Sequence, residues 1–206
     1  MTEFYFVRHG KTEFNLEGRF QGCRKDSPLL EQSLKDAVKL GGYLKGTQFS
    51  AFYTSPMPRA QITGQKVLEG MGLNAAIQTV NDLAEFDFGF WDGDLVKDHI
   101  QSETYRIFME EPEQFTADLM GGEDYYQFTQ RLLAACRQIY TSHPYGKVLL
   151  FAHALVNTFA IKGMLGLGFS EIRQQGLVAN TSLSVIKTND FNHFELEMWN
   201  NTDFLQ

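Results

Sequence analysis

Short apolar runs alternate with longer stretches of helical period along this chain. Strand-like runs rich in β-branched and aromatic residues occur at Phe4–Val7, Ala51–Tyr53, Ile77–Val80, Val148–Phe151, Leu183–Ile186 and Phe194–Met198. Between them, apolar residues return every three or four positions. Leu34, Ala37, Val38, Gly41 and Leu44 share one helical face, and Ala60, Gly64, Val67, Leu68 and Met71 share another. Phe128, Leu132, Ala135, Cys136 and Ile139 make a third stripe; Val156, Phe159, Ala160 and Met164 make a fourth. Strands alternating with helices form βαβ units, whose parallel sheet is covered on both faces. The polar turn Asn189-Asp190-Phe191-Asn192 joins the last two runs and predicts a closing hairpin. The expected fold is therefore α/β: a three-layer α/β/α sandwich around a mixed, mostly parallel sheet. Residues 94–124 break the alternation. They carry Tyr105, Phe108, Met109, Phe115 and Met120 among many acids, and predict a helical cap inserted over the sheet. No repeat or linker divides the 206 residues, so a single domain spanning 1–206 is expected.

Hydrophobic residues make up 43% of the chain and charged residues 21%, a balance that supports a packed core and excludes disorder. The 18 phenylalanines make that core aromatic. A net charge of −7 argues against nucleic acid or an anionic membrane as a partner. Anion binding then requires the few basic residues to converge locally. Two cysteines, Cys23 and Cys136, are too few for a disulfide framework or a zinc site. Glu3 and Arg8 bracket only a very short apolar run, with no basic leader. The longest apolar stretch, 148–161, is interrupted by His153 and Asn157 and falls short of the ~20 residues that span a bilayer. A cytoplasmic protein with no membrane partner is expected. These features do not separate a monomer from a homodimer.

Candidate chemistry concentrates where the apolar runs stop. Phe4-Tyr5-Phe6-Val7 ends in Arg8-His9-Gly10-Lys11-Thr12, and Val148-Leu149-Leu150-Phe151-Ala152 ends in His153-Ala154. Ligands of open α/β sheets sit at the carboxyl ends of strands. If these two strands are parallel neighbours, the imidazoles of His9 and His153 face each other across one crevice. A guanidinium beside an imidazole suits chemistry on a phosphoryl group. Arg59, within Thr54-Ser55-Pro56-Met57-Pro58-Arg59-Ala60, falls in the first turn of a helix. The helix dipole disfavours a cation there unless an anion is close. Glu85 lies among Phe86, Phe88, Phe90 and Trp91, whose apolar surroundings would favour its protonated form. His99, His143 and His193 have no such context and read as surface or turn residues.

In order and spacing, these segments resemble the histidine phosphatase superfamily, in its phosphoglycerate-mutase-like branch. The resemblance runs from Phe4 to about Ile186. Arg8-His9-Gly10-Lys11-Thr12-Glu13-Phe14-Asn15 matches the opening motif, and the Arg59 and Glu85 segments match the next two. Gly121-Gly122-Glu123 is similar to the family's Gly-Gly-Glu turn, and Asn180-Thr181-Ser182 to its late strand entry. The resemblance implies that His9 is the nucleophile, passing through a phosphohistidine, and that Glu85 protonates the leaving group and then activates water. Arg8, Arg59 and His153 would complete the catalytic set by holding phosphoryl oxygens. Asn15, Gln21, Gly22 and the backbone of Ala154 would add further substrate contacts. A neutral imidazole approaches a phosphate dianion without charge repulsion, so no metal or other cofactor is implied. Three positions depart from the family pattern. Ala152 and Ala154 flank His153 where a small hydroxyl residue and a glycine are usual, the loop 21–29 is one residue longer, and Asp124 replaces a serine.

The implied activity is metal-independent hydrolysis of a phosphomonoester on a small phosphorylated metabolite. Phosphoglycerate mutase activity and non-catalytic phospholigand binding are the alternatives. A mutase needs extra cations for a second phosphate, yet residues 94–124 hold nine acids against two basic residues, Lys97 and Arg106. The segment is also shorter than the insertion typical of cofactor-dependent mutases. Both features favour a phosphatase, acting on monophosphates with an uncharged or apolar remainder. The presence of His9, Glu85 and His153 together speaks against a binder without turnover.

Overall fold

A computed structural model describes residues 1–206. Its elements follow as β1 (Thr2–Arg8), α1 (Glu13–Glu17), α2 (Glu31–Leu44), β2 (Ala51–Thr54), α3 (Pro58–Met71) and β3 (Gln78–Thr79). Then come α4 (Glu103–Glu110), α5 (Tyr125–Ser142), β4 (Gly146–Ala152), α6 (Ala154–Met164), α7 (Phe169–Gln174), β5 (Leu183–Thr188) and β6 (Phe194–Asn201). All six expected strands form one sheet, in the order β3-β2-β4-β1-β5-β6. The first four run parallel, and β5 pairs antiparallel with both β1 and β6. The β5–β6 hairpin turns where the polar segment 189–192 predicts.

Alternation along the central strands sorts side chains between two cores. Phe4, Phe6, Val148, Leu150 and Ala152 enter an aromatic core with α5 and α6. Val7, Leu149 and Phe151 enter a smaller core with α2 and α3. Both strands therefore read as unbroken apolar runs, as a sheet covered on both faces requires. Many of the phenylalanines collect on the α5–α6 side. Tyr125 stacks on Phe159 with centroids 5.1 Å apart, and Phe86 meets Phe128 edge-on at the same distance.

Three local expectations fail, each for a packing reason. The buried face of α2 is Ser33, Ala37, Leu40, Gly41 and Leu44, while Leu34 and Val38 are only half-buried. The helix is turned so that Gly41 lies against Gly70 of α3. A Cβ on Gly41 would stand 2.2 Å from the Val67 carbonyl oxygen, so only glycine allows this approach. Helix α6 is buried on every side from Ala154 through Lys162, because the sheet, α5 and α7 enclose it. The segment 94–124 is less helical than expected. It holds α4 and three 3₁₀ turns, at 96–98, 112–114 and 117–119, and it packs on α7. Pro112 ends regular helix after α4, and Phe108, Phe115 and Met120 enter the aromatic core. No helix is long and apolar enough to cross a membrane.

Candidate active site

The parallel ladder fixes the two histidines. After the Arg8–Ala152 pair, one further bond carries the β1–β4 register past the strand end: the His9 N–H donates to the Ala152 carbonyl at 3.0 Å. Strand β2 repeats the device, with the Ser55 N–H donating to the Phe151 carbonyl at 2.9 Å. His9, His153 and Ser55 thus leave three adjacent strands at one level. The imidazole centroids of His9 and His153 are 5.2 Å apart, and both rings are buried. Asn180 and Thr181 clamp the β1 end. The Thr181 N–H is shared between the Arg8 and His9 carbonyls, and Asn180 Nδ2 donates to the His9 carbonyl at 3.1 Å. Thr181 adopts φ 57° to do so, a left-handed conformation that a β-branched residue holds only where its surroundings enforce it.

Hydrogen bonds assign the tautomers. His9 Nδ1 lies 2.7 Å from the Gly10 carbonyl oxygen, so Nδ1–H donates and the Nε2 lone pair is free. His153 has the opposite arrangement. The Met57 N–H donates to Ser55 Oγ, which turns the hydroxyl hydrogen toward His153 Nε2 at 2.6 Å. The His153 Nδ1–H is then buried without a partner.

Two guanidiniums stand beside these rings. Arg59, at the start of α3, is buried, with Nη1 2.5 Å from Asp26 Oδ1 and Nη2 2.8 Å from the Gly22 carbonyl oxygen. Arg8 Nη1 donates to the Val178 carbonyl at 2.7 Å. The Nε of each is buried and unpartnered, like Nδ1 of His153. Three unsatisfied donors around one imidazole are costly by themselves and suit an incoming anion.

Charge states follow from burial and from these cations. Burial, then Arg59 and Arg8, hold His9 well below the ordinary imidazole range. Burial, then Arg59, His9 and Arg8, do the same for His153, so both rings are neutral near pH 7. Burial lowers Arg8 to about 10, with Glu85 opposing and Arg59 assisting, which leaves it cationic. Glu85 moves upward: burial raises its pKa against the N–H groups of Phe86 and Leu155 and the charges of Arg59 and Arg8.

Glu85 is held at both oxygens. Oε1 accepts from the Phe86 N–H at 2.9 Å, and Oε2 from the Leu155 N–H at 3.2 Å, at the start of α6. The Gly121-Gly122-Glu123 turn carries its loop. Glu123 accepts the Asp87 N–H and pairs with Arg131, whose guanidinium also donates to the carbonyls of Asp82, Ala84 and Glu85. A Cβ on Gly122 would sit 1.9 Å from the Asp87 carbonyl oxygen. Fewer rings than expected desolvate Glu85. Phe86 is buried and Phe88 faces the cavity, but Trp91 packs on Phe20 and Phe90 is 79% exposed. Asp124 caps α5 in a reciprocal pair with Gln127, the helix-starting work a serine would do.

Arg8, His9, Asn15, Gln21, Glu85 and Ala154 line a cavity of about 280 Å³, a volume suited to a small ligand. His153 lies beneath it against His9, and Arg59 against the backbone of Gln21 and Gly22. Asn15 Oδ1 accepts from Asn180, and the Gln21 amide is held between Thr12 and Ser27. Gly22 is not on the wall. Its N–H donates to Asp92, which also accepts the N–H groups of Arg24 and Lys25 and so fixes the longer loop. Burial and the carboxylates of Asp87, Glu123 and Asp92 push Cys23 up to about 11, leaving it an unreactive thiol. A separate surface cavity between α3 and β3 has no titratable side chain in its lining.

Sequence reasoning missed Ser55, Asp92 and Arg131 as supports, and Arg19 and Arg173 in the cavity wall. Ser55 had a signal, since it shares a segment with Arg59. The others act on partners distant in sequence and leave no local pattern. His99 and His143 are also more than surface residues: one packs on Trp91 with centroids at 4.6 Å, and the other bonds the Tyr53 hydroxyl at 2.8 Å.

Ser55 orients His153, so Ser55→Ala is expected to slow phosphate release from a phosphomonoester about tenfold, an effect of misplacement. Ser55→Thr, which keeps the hydroxyl, is expected to recover most of the rate. Equal rates for Ser55→Ala and the parent chain would refute this role.

Comparison with known proteins agrees with this geometry. The chain is 31% identical over 206 residues to a protein of Bacillus subtilis named uncharacterized phosphatase PhoE, covering 99% of this chain and 94% of the relative. It is 28% identical over 188 residues to phosphoserine phosphatase 1 of Hydrogenobacter thermophilus, covering 90% and 86% respectively. The solved structure of Bacillus stearothermophilus YhfR superposes over the full length of both chains with a TM-score of 0.91 and 26% identity. The family model of the histidine phosphatase superfamily (branch 1) matches residues 4–202, and the chain belongs to that family.

Proposed function

We propose that this chain hydrolyses small phosphomonoesters, without a metal ion, through a phosphohistidine at His9. The observation that carries this reading is a neutral His9 with Nε2 free, beside the unpartnered donors of Arg8, Arg59 and His153. Those three donors, with the Ala154 N–H at the start of α6, receive the phosphoryl oxygens. His9 Nε2 attacks phosphorus in line. The N–P bond forms as the ester P–O bond breaks, and the protonated Glu85 gives its proton to the departing oxygen. Water then attacks the phosphohistidine and passes a proton to Glu85. The N–P bond breaks, returning neutral His9 and inorganic phosphate. Positioning and charge stabilisation are most of what this chemistry asks of a protein.

Hydrolysis is favoured over mutase chemistry by the state of the cap cations. Arg106 pairs with both Glu103 and Glu111, and neither it nor Lys97 lines the cavity that would have to hold a second phosphate. Phosphate release from a phosphomonoester panel, in excess chelator, is expected to exceed 3- to 2-phosphoglycerate conversion measured in parallel. Loss of activity on chelation with recovery on adding metal, or faster isomerisation than release, would contradict the proposal.

Turnover on this reading needs His9 neutral and Glu85 protonated. The lowered His9 pKa puts the acid limb of the rate profile below about 6.5, the ordinary imidazole value. The raised Glu85 pKa puts an alkaline limb above the ordinary carboxyl value, with rate lost as pH rises through it. Positioned acid catalysis contributes ~10²–10⁴-fold. Glu85→Gln is expected to slow phosphoenzyme formation from alkyl phosphates within that range, and to abolish their alkaline limb. With p-nitrophenyl phosphate, whose leaving group needs no proton, the first turnover should slow far less. Equal losses on both substrates would make Glu85 a structural residue.

A further inference from the structure

Glu85 sits in a segment that no strand or long helix organises. A single 3₁₀ turn at 81–83 leads into it, and Leu83, Glu85 and Phe86 are buried. The carbonyls of Asp82, Ala84 and Glu85 accept no backbone N–H. A buried loop has to satisfy such groups by other means.

One side chain supplies all three partners. Arg131 reaches across from α5, and its Nη1 donates to the Asp82 carbonyl at 2.7 Å and to the Ala84 carbonyl at 2.9 Å. Nη2 donates to the Glu85 carbonyl at 3.2 Å and to Glu123 Oε1 at 2.7 Å, while Nε donates to Glu123 Oε2 at 2.9 Å. Every N–H of the guanidinium is thereby used. The group is also held flat, over the Phe128 ring of its own helix at 4.8 Å. Glu123 carries the hold past the catalytic residue. It accepts the Asp87 N–H at 2.8 Å and returns its own N–H to the Asp87 carbonyl at 3.2 Å. One ion pair therefore grips the backbone on both sides of Glu85.

We propose that Arg131 is a positioning residue for the general acid: through Glu123 and three backbone carbonyls it sets where the Glu85 carboxyl stands relative to the departing oxygen. This rests on the hydrolase reading above. Arg131 does not line the cavity, and it makes no bond to Arg8, His9, Arg59 or His153. Its charge is matched at two points by Glu123, so what reaches Glu85 is geometry and not charge. A loop released from these bonds lets the carboxyl drift, and a misplacement of ~1 Å costs on the order of 10²-fold in a positioned step. The loss falls on steps that need the proton. The groups that receive the phosphoryl oxygens stay in place.

The test compares first-turnover phosphoenzyme formation from glycerol 3-phosphate, whose alkoxide needs a proton, and from p-nitrophenyl phosphate, whose leaving group does not. Both are measured on one preparation, so the ratio of the two rates does not depend on the folded fraction. Arg131→Met, which keeps the side-chain stem beside Phe128, is expected to slow glycerol 3-phosphate by about 10–100-fold. The same variant should slow p-nitrophenyl phosphate by about twofold at most, and leave inhibition by inorganic phosphate within about twofold of the parent. Glu123→Gln, which breaks the ion pair with Arg131 in place, is expected to repeat the pattern at smaller size. In Glu85→Gln, where the acid is already gone, adding Arg131→Met should cost glycerol 3-phosphate no more than about twofold. A merely structural role would slow both substrates alike and would add its full loss to that of Glu85→Gln. Either result, or a large change in phosphate inhibition, would overturn the proposal. Equal losses on the two substrates in Glu85→Gln alone would instead overturn the acid role on which it rests.

Discussion

The parallel pairing of β1 with β4 is the constraint on which the site depends. It brings together two residues 144 positions apart, His9 and His153, at the same level of the same sheet edge. A register slip by one residue would turn each strand's side chains to the opposite core. Phe4 and Phe6 would then leave the aromatic core, and His9 would leave the crevice. The apolar alternation that stabilises the sheet is thus the same feature that aims the imidazole. Ser55, at the end of β2, extends the arrangement to a third strand and fixes the tautomer of His153.

Electrostatics then runs against stability at this end of the molecule. Arg8 has no carboxylate partner, and Arg59 has one, Asp26, that is itself partly exposed. Burying charge with so little compensation is unfavourable. The rest of the fold offsets it with two well-packed cores and with backbone clamps at Asp92, Glu123, Arg131 and Thr181. Burial, assisted by these two cations, keeps His9 and His153 neutral, and buried donors stay unsatisfied until an anion arrives. Glu85 is the counterpart, a carboxyl whose burial favours its proton despite two nearby cations.

Much of this was legible in the chain. Residues that meet through the sheet, such as His9 and His153, announce themselves because each ends an apolar run. The strands and the faces of α3 and α5 follow from periodicity for the same reason. The reading failed where tertiary packing overrides the local pattern. Gly41 turns α2 away from its expected stripe, and enclosure on all sides hides any stripe in α6. Phe90 looked like part of an apolar nest but faces solvent, because the chain reverses at Gly89 with φ 54°. Asp92, Arg131 and Arg173 were invisible because each acts on segments remote in sequence. An isolated charged residue carries no mark of the partner it will meet.

Covalent trapping tests the central claim most directly. The parent chain is mixed briefly with ³²P-labelled substrate, quenched, and mapped for acid-labile, alkali-stable label by peptide analysis. The account predicts one labelled site, at His9, and none in His9→Ala. Label on another residue, or normal turnover by His9→Ala, would contradict it.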